Sequence, residues 1–198
     1  MPSFIEVLSS PELTCDRWSA AAVAVPAGVV RVGDERTNWA AADHTHVALS
    51  LRLPAVEPDD AVWPDAVTIE RYEVEEIELG AAPPRATPFL YLVRMDVDPA
   101  AEDEFNAWYT SDHVANLSQV DGVHSARRFR AINAADDVRK YLAIYYLDCP
   151  SVRQSAQWQR AAHTDWSIRI RAHHRRKLAT MFVPTGAGFA HGGSRSAA

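Results

Sequence analysis

The segment from Phe89 to Arg130 constrains the fold most, because it reads as strand, helix, turn and strand without interruption. Phe89–Val97 is dense in β-branched, aromatic and aliphatic residues and predicts a strand. Asp98 and Pro99 then offer an N-cap and a proline at the first helical position. Glu102, Asp103 and Glu104 follow where the helix dipole favours negative charge. Phe105, Trp108, Tyr109, Asp112, His113 and Asn116 recur at three- and four-residue spacing. They therefore share one helix face, apolar at its start and polar at its end. Asp121-Gly122 marks a turn, and residues 123–130, Tyr141–Leu147 and 178–183 predict three more strands. Residues 150–172 predict a second helix, with Trp158, Ala162, Trp166 and Ile170 at four-residue steps. The order β-α-β-β-α-β is the ferredoxin-like arrangement.

The first half reads as a degenerate copy of the same unit. Strands are expected over residues 4–8, from Gly28, over 46–53 and over 67–79, with a helix carrying Trp18 over 11–25. Pro58 and Pro64 leave the second helix of this half, over 57–66, short or absent. The expected fold class is thus α+β, two ferredoxin-like units with the first degenerate. The expected domains are residues 1–80 and 88–184, joined by a linker with Pro83-Pro84, before a Gly/Ser-rich tail at 185–198 that predicts disorder.

A formal net charge of -6 argues against a nucleic-acid surface. Arg169, Arg171, Arg175, Arg176 and Lys177 read as a solvated helix end. Two cysteines without paired spacing imply no disulfide framework and fit a reducing cytoplasm. No secretion signal and no membrane-crossing run are evident. Dinucleotide, phosphate-loop and nucleophile-elbow motifs are missing. His44 and His46 lack a third ligand, so neither a metal nor any cofactor is expected.

His113 is the sharpest chemical candidate. On the face with Phe105 and Tyr109 it is either a histidine soothing a helix end or a general acid/base, since its ordinary pKa lies near working pH. Arg94 shares a strand face with Leu90 and Leu92, and Tyr141 and Tyr145 share another. Arg94, Tyr145 and one of Arg127 or Arg128, with Arg127 preferred, are expected to line a pocket, against the plainer reading of each as an edge or interface salt bridge. Tyr91, Trp108, Tyr109 and Tyr145 are the aromatic candidates for substrate contact.

The stretch EFNAWYTSDHVANLSQVDGVHSARRFR, residues 104–130, resembles the dimeric α/β-barrel superfamily. Its run of two aromatics, an acid, His-Val, glycine and a strand with Ala-Arg-Arg-aromatic is similar to the EthD-like branch, as is WQRAAHTDWSIRIR at 158–171. The resemblance covers 88–184 well and the first half only by topology. It implies two ferredoxin-like sheets forming a barrel, within one chain or between two, and makes His113 the histidine that ends the first helix and approaches the cavity. A homodimer is expected, because such sheets expose edges and apolar faces.

These signals lead to a cofactor-independent enzyme for a small apolar, oxygenated ring compound, such as an aromatic, polyketide-like or lactone molecule. His113 would move a proton for isomerisation, cyclisation or elimination, with Arg94 or Arg127 steadying an enolate-like charge. The alternatives are a cofactor-free monooxygenase, a heme protein of the chlorite dismutase-like group, and a non-catalytic ligand-binding module. The fold hosts many functions, so the site must decide.

Overall fold

In the first half, residues 3–9, 29–36, 45–52 and 68–79 are described in this computed structural model; in the second, residues 89–132 and 138–184 are. The expected helices at 11–25 and 57–66, the linker, the tail and His44 lie outside the described residues. The strands are β1 (Ser3–Ser9), β2 (Val29–Arg36), β3 (Thr45–Arg52), β4 (Thr68–Leu79), β5 (Phe89–Val97), β6 (Val123–Ala131), β7 (Tyr141–Leu147) and β8 (His174–Pro184). They join in the order β1-β3-β2-β8-β5-β7-β6-β4 as a closed barrel whose neighbours are all antiparallel. Residues 89–184 form the ferredoxin-like α+β unit, with sheet order β8-β5-β7-β6. The first half contributes β4-β1-β3-β2, the same order. Each described strand has a partner on both sides, so the edge-based reason for a second chain falls away.

The strand period sorts residues between two cores. Leu90 and Leu92 of β5 point into the barrel, where Ile5, Tyr72, Phe129, Ile144 and Tyr146 fill the interior. Phe89, Tyr91, Val93 and Met95 point outward, where the helices cover them with Phe105, Trp108, Leu117 and Trp158. At roughly 25 cal/mol per Å² of apolar area removed from water, this outer layer fixes the helices to the sheet.

The helices depart from the expected pattern in three places. Asp98 does not cap: after a 3₁₀ turn at Pro99–Ala101, its carboxylate instead accepts from Arg175 at 2.6 Å and lies 3.3 Å from His173. The first helix, α1 (Glu102–Trp108), widens into a π-helical turn at Tyr109–Val114 before a last α-turn at Ala115–Leu117. The second helical segment is not continuous. A 3₁₀ turn at Pro150–Gln154 leads to α2 (Ala156–Ala162) and α3 (Asp165–Ile170), which are separated at His163 and Thr164. Ser155 caps α2 through Trp158 N–H, and Thr164 caps α3 through Ser167 N–H. Gly122 has a φ of 84°, and a Cβ there would lie 2.6 Å from Val152, so the turn before β6 requires glycine. No helix among the described residues is long and apolar enough to cross a membrane.

Candidate active site

The π-helical turn sets the site. Five residues along an ordinary α-helix point well away from each other, whereas a wider turn brings positions five apart together. The rings of Trp108 and His113 accordingly stack, with centroids 4.4 Å apart and planes at 29°. Tyr109 meets the same imidazole edge-on at 5.2 Å. Such ring pairs contribute about 0.5–1.5 kcal/mol beyond area burial.

Asp112 turns the other way. It accepts from Asn116 Nδ2 at 2.9 Å and from the Thr164 hydroxyl at 2.6 Å. The Thr164 and Ser167 hydroxyls lie 3.0 Å apart, and Trp108 Nε1–H donates to Ser167 Oγ at 3.0 Å. The break between α2 and α3 therefore ties the indole that carries His113.

Between these helices and the outer face of the sheet lies a cavity of about 270 Å³, lined by Tyr91, Trp108, Tyr109, His113, Tyr145 and Trp158 among others. Tyr91, Trp108, Tyr109 and Tyr145 thus share this cavity with His113. Tyr91, Tyr145 and Trp158 are mutually packed at centroid distances of 6.0, 6.0 and 5.6 Å. His113 Nδ1 is buried without a hydrogen-bond partner among the described residues. The Tyr145 hydroxyl is buried beside Tyr109 without a well-formed hydrogen bond.

Burial, then the positive charges of Lys177, Arg171, His174 and Arg128, push the His113 pKa down to about 3. Its imidazole is therefore neutral at neutral pH and able to accept a proton. Burial lifts the Tyr145 phenol well above its ordinary range, with Tyr109 adding to the rise, so it remains a neutral donor.

Arg94 and Arg127 are not part of this cavity. Arg94 is 1% exposed, lies on the barrel side of β5 with Leu90 and Leu92, and pairs with Glu70 at 2.6 Å. Arg127 is bound in a fork by Glu76 at 2.6 and 2.7 Å, with its guanidinium 5.2 Å from the Phe129 ring centroid. The sheet lies between both arginines and His113. The reason is register: Tyr91 pairs with Tyr145 while Arg94 pairs with Leu142, so Arg94 and Tyr145 occupy opposite faces. Arg128 is the strand arginine on the helix side, 4.2 Å from the Tyr109 ring centroid and 2.6 Å from Asn106 Oδ1.

Arg153, His163, Arg171, His174 and Lys177 also line the cavity, which places Arg171 and Lys177 at a cavity wall rather than at a solvated helix end. Their signal was a basic cluster around the second helical segment, which composition alone reads as solvated.

A family model described as a domain of unknown function (DUF4286) matches residues 88–182. No curated protein matches the chain. Among solved structures, the chain is similar to an anthrone oxidase-like protein at 11% identity, with 92% of this chain and 90% of that one covered and a TM-score of 0.58. It is also similar to a heme-degrading enzyme from Listeria monocytogenes at 11% identity, 91% and 99% coverage and a TM-score of 0.55. A third is an uncharacterized ferredoxin fold protein related to antibiotic biosynthesis monooxygenases, also from Listeria monocytogenes, at 10% identity, 92% and 95% coverage and a TM-score of 0.54. These likenesses establish the ferredoxin-like barrel fold and nothing finer.

Proposed function

We propose that the chain is a small-molecule enzyme that moves a proton in the cavity beneath its helices, with His113 as the base and Tyr145 as a neutral donor. The observation that carries this reading is one aromatic cavity holding two unpartnered buried polar atoms, His113 Nδ1 and Tyr145 Oη. A buried polar group without a partner costs free energy, and a ligand that supplies the partner recovers it. Trp108, Tyr109 and Tyr91 would hold a ring flat against the base. Arg94 and Arg127 have no part in this scheme, because they face the barrel interior.

The substrate class is an oxygenated ring compound with an acidic C–H, and the reaction class is isomerisation, cyclisation or elimination. A probe for the proton step is 2-tetralone in D₂O, with exchange of its α-hydrogens followed by NMR. The wild-type protein should accelerate exchange, and His113→Ala should remove about 10²-fold of that acceleration. Full exchange activity in His113→Ala would overturn the reading, and binding without exchange in the wild type would favour a non-catalytic module.

The anthrone oxidase-like neighbour favours a second reading, in which the carbanion made by the same base reacts with O₂. Oxygen uptake with dithranol, an anthrone, separates the two. The heme-degrading neighbour raises heme binding as a third reading, but a cavity of about 270 Å³ is too small for a porphyrin, so the lining does not fit that group.

We further propose an EthD-like origin with internal duplication. The strand order repeated in the two halves supports it, and His113 has no counterpart after Trp18 in the first half. Domain boundaries between 80 and 88 and a cytoplasmic location belong to the same proposal. Homodimerisation would use outer faces of the closed barrel, and light scattering at micromolar concentration would detect it.

A further inference from the structure

Arg153, Arg171 and Lys177 line the same cavity as His113, and no aspartate or glutamate among the described residues lines it. Their sequence neighbours are neutralised. Arg169 lies 3.1 Å from Glu104, Arg175 lies 2.6 Å from Asp98, and Arg176 lies 2.5 Å from Asp96. The cavity cations have no such partner among the described residues. Arg153 has a buried Nε with no acceptor, and its guanidinium sits 4.4 Å from the Tyr91 ring centroid. Among the described residues, Arg171 reaches only the Ala162 carbonyl. Lys177 stands at the rim, where burial together with Arg171 and Arg153 depresses its pKa. Gathering uncompensated cations at a partly dry wall is unfavourable unless an anion joins them.

We infer that the cavity takes a planar aromatic carboxylate, with its ring among Tyr91, Tyr145 and Trp158 and its carboxylate between Arg153, Arg171 and Lys177. This rests on the reading of the cavity as the substrate site and changes the substrate from a largely apolar ring to an acidic one. A carboxylate suits the place because a guanidinium grips it through two parallel N–H bonds. A cavity of about 270 Å³ admits a molecule of two or three fused rings. There is a mechanistic return: an anion beside the cations offsets the field that keeps His113 a weak base. The base then strengthens when substrate is present.

The test compares 2-naphthoate with 2-naphthamide, which share shape and differ in charge, by calorimetry and quenching of tryptophan fluorescence. Wild-type protein should bind the carboxylate about tenfold more tightly, with the gap narrowing as salt rises. Lys177→Gln and Arg153→Gln together should shrink the preference to about twofold or less, with circular dichroism and the melting temperature as the control for folding. Equal affinity for the two probes, binding of neither, or an undiminished preference in the double variant would each overturn the inference. His113→Ala should keep the charge preference. The acid/base reading therefore fails through an unchanged exchange rate in that variant, and the carboxylate inference fails through a missing charge preference, each visible without the other.

Discussion

The two faces of the second-half sheet hold charge in opposite ways. Inside the barrel, Arg94 meets Glu70, which also accepts from Tyr72 and lies 3.4 Å from Arg139; Arg127 meets Glu76 in a fork. Outside it, Arg153, Arg171 and Lys177 share a cavity wall with no acid. An arginine paired with a carboxylate has its charge compensated within the fold, even where, as in Arg94, the Nε is left without an acceptor among the described residues. A cation left open beside unpartnered His113 and Tyr145 atoms is available to a ligand. The distinction depends on partners rather than residue type, since both faces carry arginine and tyrosine.

The largest effect should come from breaking the inner face. Glu70→Ala leaves the Arg94 guanidinium buried without its carboxylate, and chemical denaturation should show a loss of about 3 kcal/mol. Glu70→Gln with Arg94→Met removes the charges together and should recover much of that loss. This double variant should also keep 2-tetralone exchange within about threefold of wild type, against the roughly hundredfold drop for His113→Ala. If Arg94→Met in the paired background abolished exchange, the division between a structural and a reactive face would be broken.

The next effect is a pH dependence of stability that belongs to the outer face. His113 has a folded pKa of about 3, below its unfolded value of 6.5, because of burial and of Lys177, Arg171, His174 and Arg128 around it. Between those values the unfolded chain binds more protons. The contribution is therefore intact above about pH 6.5 and is lost as the pH falls towards 3. Denaturation at pH 5 should show a loss of about 1–2 kcal/mol relative to pH 7 that His113→Gln does not share. His174, held down to about 4 by burial and by Lys177 and Arg171, adds a dependence of the same sign that is similar down to pH 5, levels off near pH 4 and remains in that variant.

The smallest effect sharpens the role of the tie behind Trp108. Thr164→Val keeps the side-chain shape but loses the cap of α3 and the bond to Asp112, and should cost about 1 kcal/mol. It should also slow exchange several-fold by loosening the indole under His113, with Thr164→Ser restoring both. Normal exchange in a destabilised Thr164→Val would show that the tie serves the fold alone.

Much of this architecture is legible in the residues of 89–184. The limits of β5 and β7 follow from their composition, and the face carrying Phe105, Tyr109 and His113 follows from helical spacing. What spacing could not reveal is the extra residue in the turn at Tyr109–Val114, because a π-helical turn leaves no periodic mark in so short a stretch. Period two places Arg94 and Tyr145 each on a face of its own strand, but only cross-strand register tells whether those faces coincide. The cations were visible as letters, whereas their lack of acidic partners is a property of three elements brought together. Arg171 and Lys177 share a sequence cluster with Arg169, Arg175 and Arg176, and only the packed chain separates the open from the closed.

The ring closed by one polypeptide carries a consequence of mass action. A barrel assembled from two copies comes apart on dilution, and its folding equilibrium shifts with concentration. Here every strand-to-strand seam, including β2 to β8 and β6 to β4, joins parts of a single chain. The eight-stranded ring therefore forms in a unimolecular step, with each half present at a fixed effective concentration for the other. A scarce protein built this way keeps its barrel closed at any expression level.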